Sequence, residues 1–142
     1  MRSRSTDFLV TVVPAILYAA LLYWISSLSH PDAPDYGLEW GDKVNHAGAF
    51  GLMAILWFRA SGWFLPHSSQ RVRLFISLAV VAFYGASDEI HQSFVPGRES
   101  DITDWIADVT GALLAISAIA LIPITSRFHR ILFGTRHRQG SG

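Results

Sequence analysis

The sequence contains no cysteine and few charged residues. Without cysteine, a disulfide framework, a thiol nucleophile and a thiolate metal site are all excluded. Charged residues make up only 15% of the 142 positions, below the ~25% of an ordinary soluble domain, whereas 51% are hydrophobic. The sequence also lacks HExxH and GxSxG motifs, which are direct signatures of two catalytic classes. This composition favours a membrane protein over a soluble enzyme of a common class.

Four apolar runs account for most of the chain, at residues 8–28, 44–65, 74–92 and 105–124. A helix needs ~20 residues, with a range of ~17–25, to cross the hydrocarbon core of a bilayer. The first and last runs meet this length outright, and the middle two meet it by burying polar ends. Short connections between the runs favour antiparallel neighbours. We therefore predict an all-α integral membrane protein with four transmembrane helices in an antiparallel up-down bundle.

Two alternatives concern the first run. A soluble four-helix bundle needs a polar face on each surface helix, and residues 8–28 have none. A signal peptide has a shorter apolar region, and no small-x-small cleavage site follows in SSLSHPDAPDYG. We expect a retained anchor after a cytoplasmic tail of residues 1–7, within a transmembrane domain of residues 8–126. A basic, disordered tail is expected at residues 127–142, and its final GSG has the composition of an added linker.

Charge is distributed unequally between the two ends of the runs. Nine of the eleven cations lie on the side of both termini, and ten of the eleven acids lie toward the other side, beside only Lys43 and Arg98. Because basic loops stay in the cytoplasm, both termini are predicted to be inside and the acidic ends outside. The basic C-terminal tail is expected to contact anionic lipid headgroups rather than nucleic acid.

The second run opens with GDKVNHAGAFG, in which Lys43 and His46 share one helical face. Taken separately, Lys43 is explained as an interfacial side chain that extends to the headgroups, and His46 as a polar residue near a helix end. The small residues Ala47, Gly48 and Gly51 predict a close contact with a neighbouring helix, as in other membrane bundles.

The third run ends with GASDEIHQSF, which carries two i,i+3 pairs on different faces. Glu89 and Gln92 form one pair, and Asp88 and His91 form the other. Glu89 is expected about one turn inside the outer boundary, where an ionisable residue must pair, face water or become neutral. We interpret Glu89 and Gln92 as functional, and Asp88 and His91 as interfacial groups that reach headgroup water.

The fourth run opens with SDITDWIADVTG, which places four residues on one stripe: Asp101, Asp104, Asp108 and Gly111. Asp101 has the position of an N-cap, and a carboxylate near a helix N-terminus gains ~0.3–1 kcal/mol from the dipole. Neither capping nor the dipole explains Asp108, which lies two turns into the helix. Asp108 therefore needs a partner, and Arg98 or Lys43 is the expected one.

The three polar helix ends hold more ionisable groups than separate structural explanations account for. We expect them to form one outward-facing pocket from Lys43, His46, Glu89, Gln92, Arg98, Asp104 and Asp108. In this pocket the cations would contact phosphate. The amide and the carboxylates would orient the cations or bind amine and hydroxyl groups.

These motifs resemble those of the VanZ-like family of small bacterial membrane proteins. The matching segments are DKVNH, EIHQSFVPGR and DWIADVTG, which together span residues 42–111. The resemblance implies a multi-pass protein of the bacterial cytoplasmic membrane, and it adds Asp42 to the expected pocket. The family usually has Asn where this chain has Asp108, so an extra carboxylate changes the charge balance here. The founding member of the family is associated with low-level teicoplanin resistance.

Binding is the first function that we expect for this pocket. The expected partners are membrane lipids, a lipid-linked cell-wall precursor or a glycopeptide, with no nucleic acid, no metal and no cofactor; a homo-oligomer is compatible with the sequence. The alternative is a membrane enzyme that acts on an envelope lipid, with Glu89, His46 and Asp104 as acid–base candidates. In that case, histidine and carboxylates could hold a divalent ion. A structural role and a transporter rank lower. A transporter needs a polar path across the membrane, and the cytoplasmic halves of the four helices are apolar apart from Arg59.

Overall fold

The computed structural model describes residues 4–29, 41–98 and 100–121, which form four α-helices and no strand. The helices are α1 (Arg4–Ser26), α2 (Gly41–Phe64), α3 (Gln70–Gln92) and α4 (Ile102–Leu121). Each helix coincides with one of the predicted apolar runs, and α1 begins four residues earlier than its run. The all-helical prediction is confirmed, and the expected C-terminal tail lies outside the described residues.

Three helices are long and apolar enough to cross a membrane. They are α1, α3 and α4, in which an 18-residue stretch has a mean hydropathy of 2.2, 1.2 and 1.6, respectively. The 24-residue α2 is not among them, because its mean hydropathy is lower. A membrane crossing by α2, and the cytoplasmic placement of both termini, stay predictions.

The outer surface of the bundle carries many large apolar side chains. Phe75, Phe83 and Leu121 are 72%, 79% and 83% exposed. Contiguous apolar surface is rare on soluble monomers, whereas it suits contact with lipid. This exposure agrees with a membrane protein and not with a soluble four-helix bundle.

α2 occupies the centre of the bundle, because it packs against all three other helices and most extensively against α4. A Cβ atom on Gly111 of α4 would overlap the carbonyl oxygen of Ala47, and one on Gly51 would lie 3.1 Å from the carbonyl oxygen of Gly111. The predicted close contact at Ala47 and Gly51 is therefore present. Gly48 does not take part, since a Cβ there would meet nothing within 4 Å. The small-residue interface fixes the depth at which α2 and α4 meet.

The apolar core lies between α2, α3 and α4, around the buried side chains of Phe50, Met53, Phe58 and Val81. α1 is more peripheral, with Val12, Ala15 and Ser26 as its buried residues. The hydroxyl of Tyr84 in α3 donates to the carbonyl oxygen of Ala19 in α1 at 2.6 Å. This bond satisfies the Tyr84 hydroxyl across two helices, as hydrocarbon surroundings require.

Candidate functional site

The polar end of the bundle is the end at which α2 and α4 begin and α3 stops. There, the ammonium group of Lys43 on α2 forms ion pairs with Asp101, at 2.8 Å, and with Asp104. Asp104 is 6% exposed, and its carboxylate therefore depends on this partner for compensation of its charge. Lys43 fastens the start of α2 to the start of α4.

Asp101 caps α4, as its sequence position predicts. Its Oδ1 accepts a hydrogen bond from the backbone nitrogen of Thr103 at 2.8 Å, and its Oδ2 accepts one from the Thr103 hydroxyl at 2.6 Å. These bonds satisfy a backbone donor that the first turn of a helix leaves free. The bond from Lys43, followed by those from Thr103, holds the pKa of Asp101 well below its usual range.

His46 and Asp108 meet one turn deeper in the bundle. The two residues are joined by a 2.9 Å hydrogen bond between His46 Nδ1 and Asp108 Oδ1, and His46 Nε2 lies 3.9 Å from Asp104 Oδ2. The expectation that Lys43 or Arg98 pairs with Asp108 is wrong. His46 follows Lys43 by three residues on α2, so it reaches the depth of Asp108, whereas Lys43 reaches only Asp104.

Glu89 joins the end of α3 to the start of α4. Its Oε2 accepts the backbone N–H of Asp101 at 2.8 Å and the hydroxyl of Ser100 at 3.3 Å. The side chain is buried, with the residue 6% exposed. Glu89 thus binds the backbone next to the start of α4 through Oε2, while its other oxygen, Oε1, is buried.

Gln92 and Asp88 form a second linked group on α3. Gln92 Nε2 donates to Asp88 Oδ2 at 2.9 Å, and Arg98 donates to Gln92 Oε1 at 2.6 Å. Asp88 is only 6% exposed, so the expectation that it reaches headgroup water is wrong. Positions 88 and 92 are i,i+4 and share a helical face, so the sequence allows this pair. The prediction instead paired Gln92 with Glu89 at i,i+3. Asp88 is the site residue that sequence reasoning missed.

His91 and Asp42 lie at the margins of this arrangement. His91 points toward α1, where Nε2 lies 3.0 Å from the Ser27 hydroxyl and its ring stacks on Tyr23 at 4.5 Å. Asp42 is exposed, and it can bring a carboxylate oxygen within 4.8 Å of ligand atoms on His46 and Asp104. The structure therefore places His91 outside the group and Asp42 at its edge.

The assembled group has more acids than cations. Lys43 and Arg98 lie beside six carboxylates, namely Asp42, Asp88, Glu89, Asp101, Asp104 and Asp108. Within the part of the chain that the structure describes, Arg98 forms no ion pair with any of them. Among the described residues, three buried carboxylate oxygens have no hydrogen-bond partner, and they are Asp88 Oδ1, Glu89 Oε1 and Asp108 Oδ2. Buried acceptors and charges are costly when unpaired, so this geometry suits a ligand that supplies positive charge or hydrogen-bond donors.

Comparison with known families supports the resemblance drawn from the motifs. A family model described as VanZ/LLP1 matches residues 14–123, which include all the motif residues at the polar end. No curated protein and no solved structure matches the chain.

Proposed function

The chain belongs to the VanZ/LLP1 family, and we propose that its polar end binds an amine-bearing lipid headgroup or lipid-linked cell-wall precursor at the outer leaflet. The observation that carries this proposal is the convergence of α2, α3 and α4 on one acid-rich group. A multi-pass helical protein has little reason to bury four carboxylates near the membrane surface unless a ligand or a structural network compensates them.

The proposed contact surface is the rim, which we define as Asp42, Lys43 and Asp101. The side chains of Lys43 and Asp101 are 34% and 44% exposed, and Asp42 is exposed as well. A primary ammonium group would bind the two rim carboxylates through charge-assisted hydrogen bonds. Lys43 follows Asp42 in the chain and is paired with Asp101 at 2.8 Å, so the rim offers carboxylate oxygens to an amine rather than a free cation to a phosphate.

Because the site has more carboxylates than cations, we expect it to bind the amine of the headgroup rather than the phosphate. The sequence alone suggested that Lys43, His46 and Arg98 would contact phosphate. In the structure, Lys43 pairs with two aspartates and Arg98 donates to Gln92. With these cations already engaged, the amine becomes the better match for the site.

Lipid retention tests this proposal. The full chain is reconstituted in nanodiscs that contain equal amounts of phosphatidylethanolamine and phosphatidylglycerol, then extracted, and its retained lipids are measured by mass spectrometry. We expect enrichment of the amine-bearing lipid, and loss of that enrichment in the double variant Asp42→Asn/Asp101→Asn. The matched control is Asp7→Asn, which removes a carboxylate from the first turn of α1.

Two outcomes would contradict the amine assignment. One is equal retention of both lipids by the unaltered protein, and the other is an enrichment that survives in the rim variant. Adding a lipid-linked cell-wall precursor as competitor separates the two ligand sources, because displacement of phosphatidylethanolamine identifies the precursor as the tighter ligand.

A link to glycopeptide tolerance follows from the family and has its own test. Expression of the chain in a susceptible Gram-positive host should raise the inhibitory concentration of teicoplanin. The rim variant should lose the increase, and Asp7→Asn should keep it. An unchanged inhibitory concentration with verified membrane expression would exclude tolerance as the role of this chain.

An enzymatic alternative is supported by the pair of His46 and Asp108. A carboxylate bonded to Nδ1 orients an imidazole for acid–base work at Nε2, as in hydrolytic triads. Glu89 and Asp104 border the same imidazole and are the further acid–base candidates. Turnover of an envelope lipid by the unaltered protein, lost in His46→Gln and Glu89→Gln, would favour this alternative over simple binding.

A further inference from the structure

The interior of the polar end, which we define as His46, Glu89 and Asp108, contains one ligand group from each of three helices. Each residue offers an atom to a set in which all atoms lie within 4.8 Å of one another. Two ligands of one zinc ion, at about 2.0–2.2 Å each, are at most about 4.4 Å apart. A small side-chain adjustment would therefore bring all three onto a common ion.

Unpartnered oxygens in this interior are an independent sign of a missing partner. Glu89 Oε1 and Asp108 Oδ2 accept no hydrogen bond from the part of the chain that the structure describes, and the two residues are 6% and 0% exposed. Asp108 Oδ2 points from α4 toward α3, since a Cβ on Gly85 would lie 2.9 Å from it. Glu89 follows Gly85 by about one helical turn on α3, and its other oxygen, Oε2, accepts the backbone N–H of Asp101 just before α4, so both carboxylates lie at the junction of α3 and α4.

We propose that His46, Glu89 and Asp108 bind a divalent transition-metal ion of the zinc or manganese class. An imidazole nitrogen with two carboxylates is a donor set of intermediate hardness, which suits these ions better than thiolate-seeking or purely oxygen-seeking ones. The ion would supply the partner that the buried oxygens lack and would reduce the excess negative charge. It would also connect α2, α3 and α4 at one point.

A second set of metal-ligand atoms lies nearby, and it is the weaker candidate for the ion. Asp42, His46 and Asp104 also bring ligand atoms within 4.8 Å, but Asp42 is exposed and Asp104 is already paired with Lys43. The interior set has both orphan oxygens and the deeper position. The proposal concerns this interior and does not depend on headgroup binding at the rim.

The test is metal binding by the full-length protein in detergent, with no added lipid. After treatment with a chelator and its removal, the protein is dialysed against micromolar ZnCl₂ or MnCl₂, and bound metal is counted by mass spectrometry. We expect about one ion per chain. His46→Gln, Glu89→Gln and Asp108→Asn should each weaken binding by more than about tenfold, since loss of a ligand exceeds the effect of an outer contact.

Matched controls separate this site from other donors. His67→Gln removes an exposed histidine and Asp7→Asn removes a distant carboxylate, and both should retain the ion. Helical circular dichroism and a single size-exclusion peak identify variants that remain folded. Asp108→Asn is the most informative variant, because asparagine has nearly the same shape as aspartate and keeps an oxygen that can bond to His46.

Thermal stability gives a second readout that does not depend on counting ions. The metal should raise the melting midpoint of the unaltered protein and of both controls, and it should leave the three interior variants unchanged. Absence of bound metal in the unaltered protein would overturn the proposal. Equal binding in folded interior variants would overturn it as well, and would assign the ion to other donors such as the histidines of residues 122–142.

Discussion

Gly111 of α4 and Ala47 of α2 hold the two helices in backbone contact, because a Cβ atom on Gly111 would overlap the Ala47 carbonyl oxygen. This contact lies next to the polar end: Ala47 follows His46, and Gly111 lies one turn after Asp108. The helix crossing therefore sets the distance between the imidazole and its carboxylate. A structural small-residue contact and the candidate site are parts of the same interface.

Gly111→Ala should destabilise the protein, because the new methyl group must push α4 away from α2. Overpacking of this kind costs about 1–3 kcal/mol. Gly48→Ala is the matched control, since its Cβ would meet nothing within 4 Å. Alanine is the better helix former by about 1 kcal/mol, so the control should be neutral or stabilising. Thermal denaturation in detergent measures both, and equal midpoints for the two variants would contradict the backbone contact.

Lys43 should stabilise the bundle chiefly through Asp104, which is buried. Removal of one partner from a fully buried pair costs ~3–5 kcal/mol, and we expect about 1–2 kcal/mol for Lys43→Gln because the side chain is partly exposed. The double variant Lys43→Gln/Asp104→Asn should recover much of this loss, since no buried charge is left unpaired. Strictly additive losses in a double-mutant cycle would show that the two residues do not act together.

The helices were predictable from the sequence, whereas the pairing of the polar residues was not. Apolar runs long enough to cross a membrane predict α1 and α4 directly, and helical spacing places Lys43 with His46 on one face. The partner of Asp108 depends on how deeply α2 and α4 overlap, which the contact of Ala47 with Gly111 determines. Spacing within one helix contains no information on that depth.

The prediction for Asp88 was wrong for a different reason. Residues 88, 89 and 92 are close enough in helical angle that Gln92 can pair with either acid. The choice depends on what Glu89 binds instead, and Glu89 accepts the backbone of Asp101 across the loop. A long-range contact thus decided a local pairing.

Asp101 should make stability depend on acidic pH. Hydrogen bonds from Lys43 and Thr103 lower its pKa in the folded state relative to the ordinary value of about 3.9 in the unfolded state. Its contribution is therefore fully present above the unfolded pKa and is lost as the pH falls through the folded pKa. Asp101→Asn, which keeps a capping side chain, should melt earlier than the unaltered protein at pH 6. The difference should shrink when melting is measured below about pH 4, and a constant difference down to pH 3 would contradict this assignment.

Asp88→Asn tests whether the excess of buried carboxylates is a cost in the metal-free protein. Asp88 Oδ2 accepts a hydrogen bond from Gln92, and Oδ1 is buried with no partner among the residues that the structure describes. An asparagine keeps an acceptor for Gln92 and removes a negative charge close to Glu89 and Asp108, so the melting midpoint should stay unchanged or rise. Asp88→Ala is the comparison, because it removes the charge and also the hydrogen bond, and leaving Gln92 Nε2 unpaired costs about 1–3 kcal/mol. If Asp88→Asn destabilised the protein as much as Asp88→Ala, the negative charge itself would be required, and a cation that binds Asp88 would have to be part of the folded state.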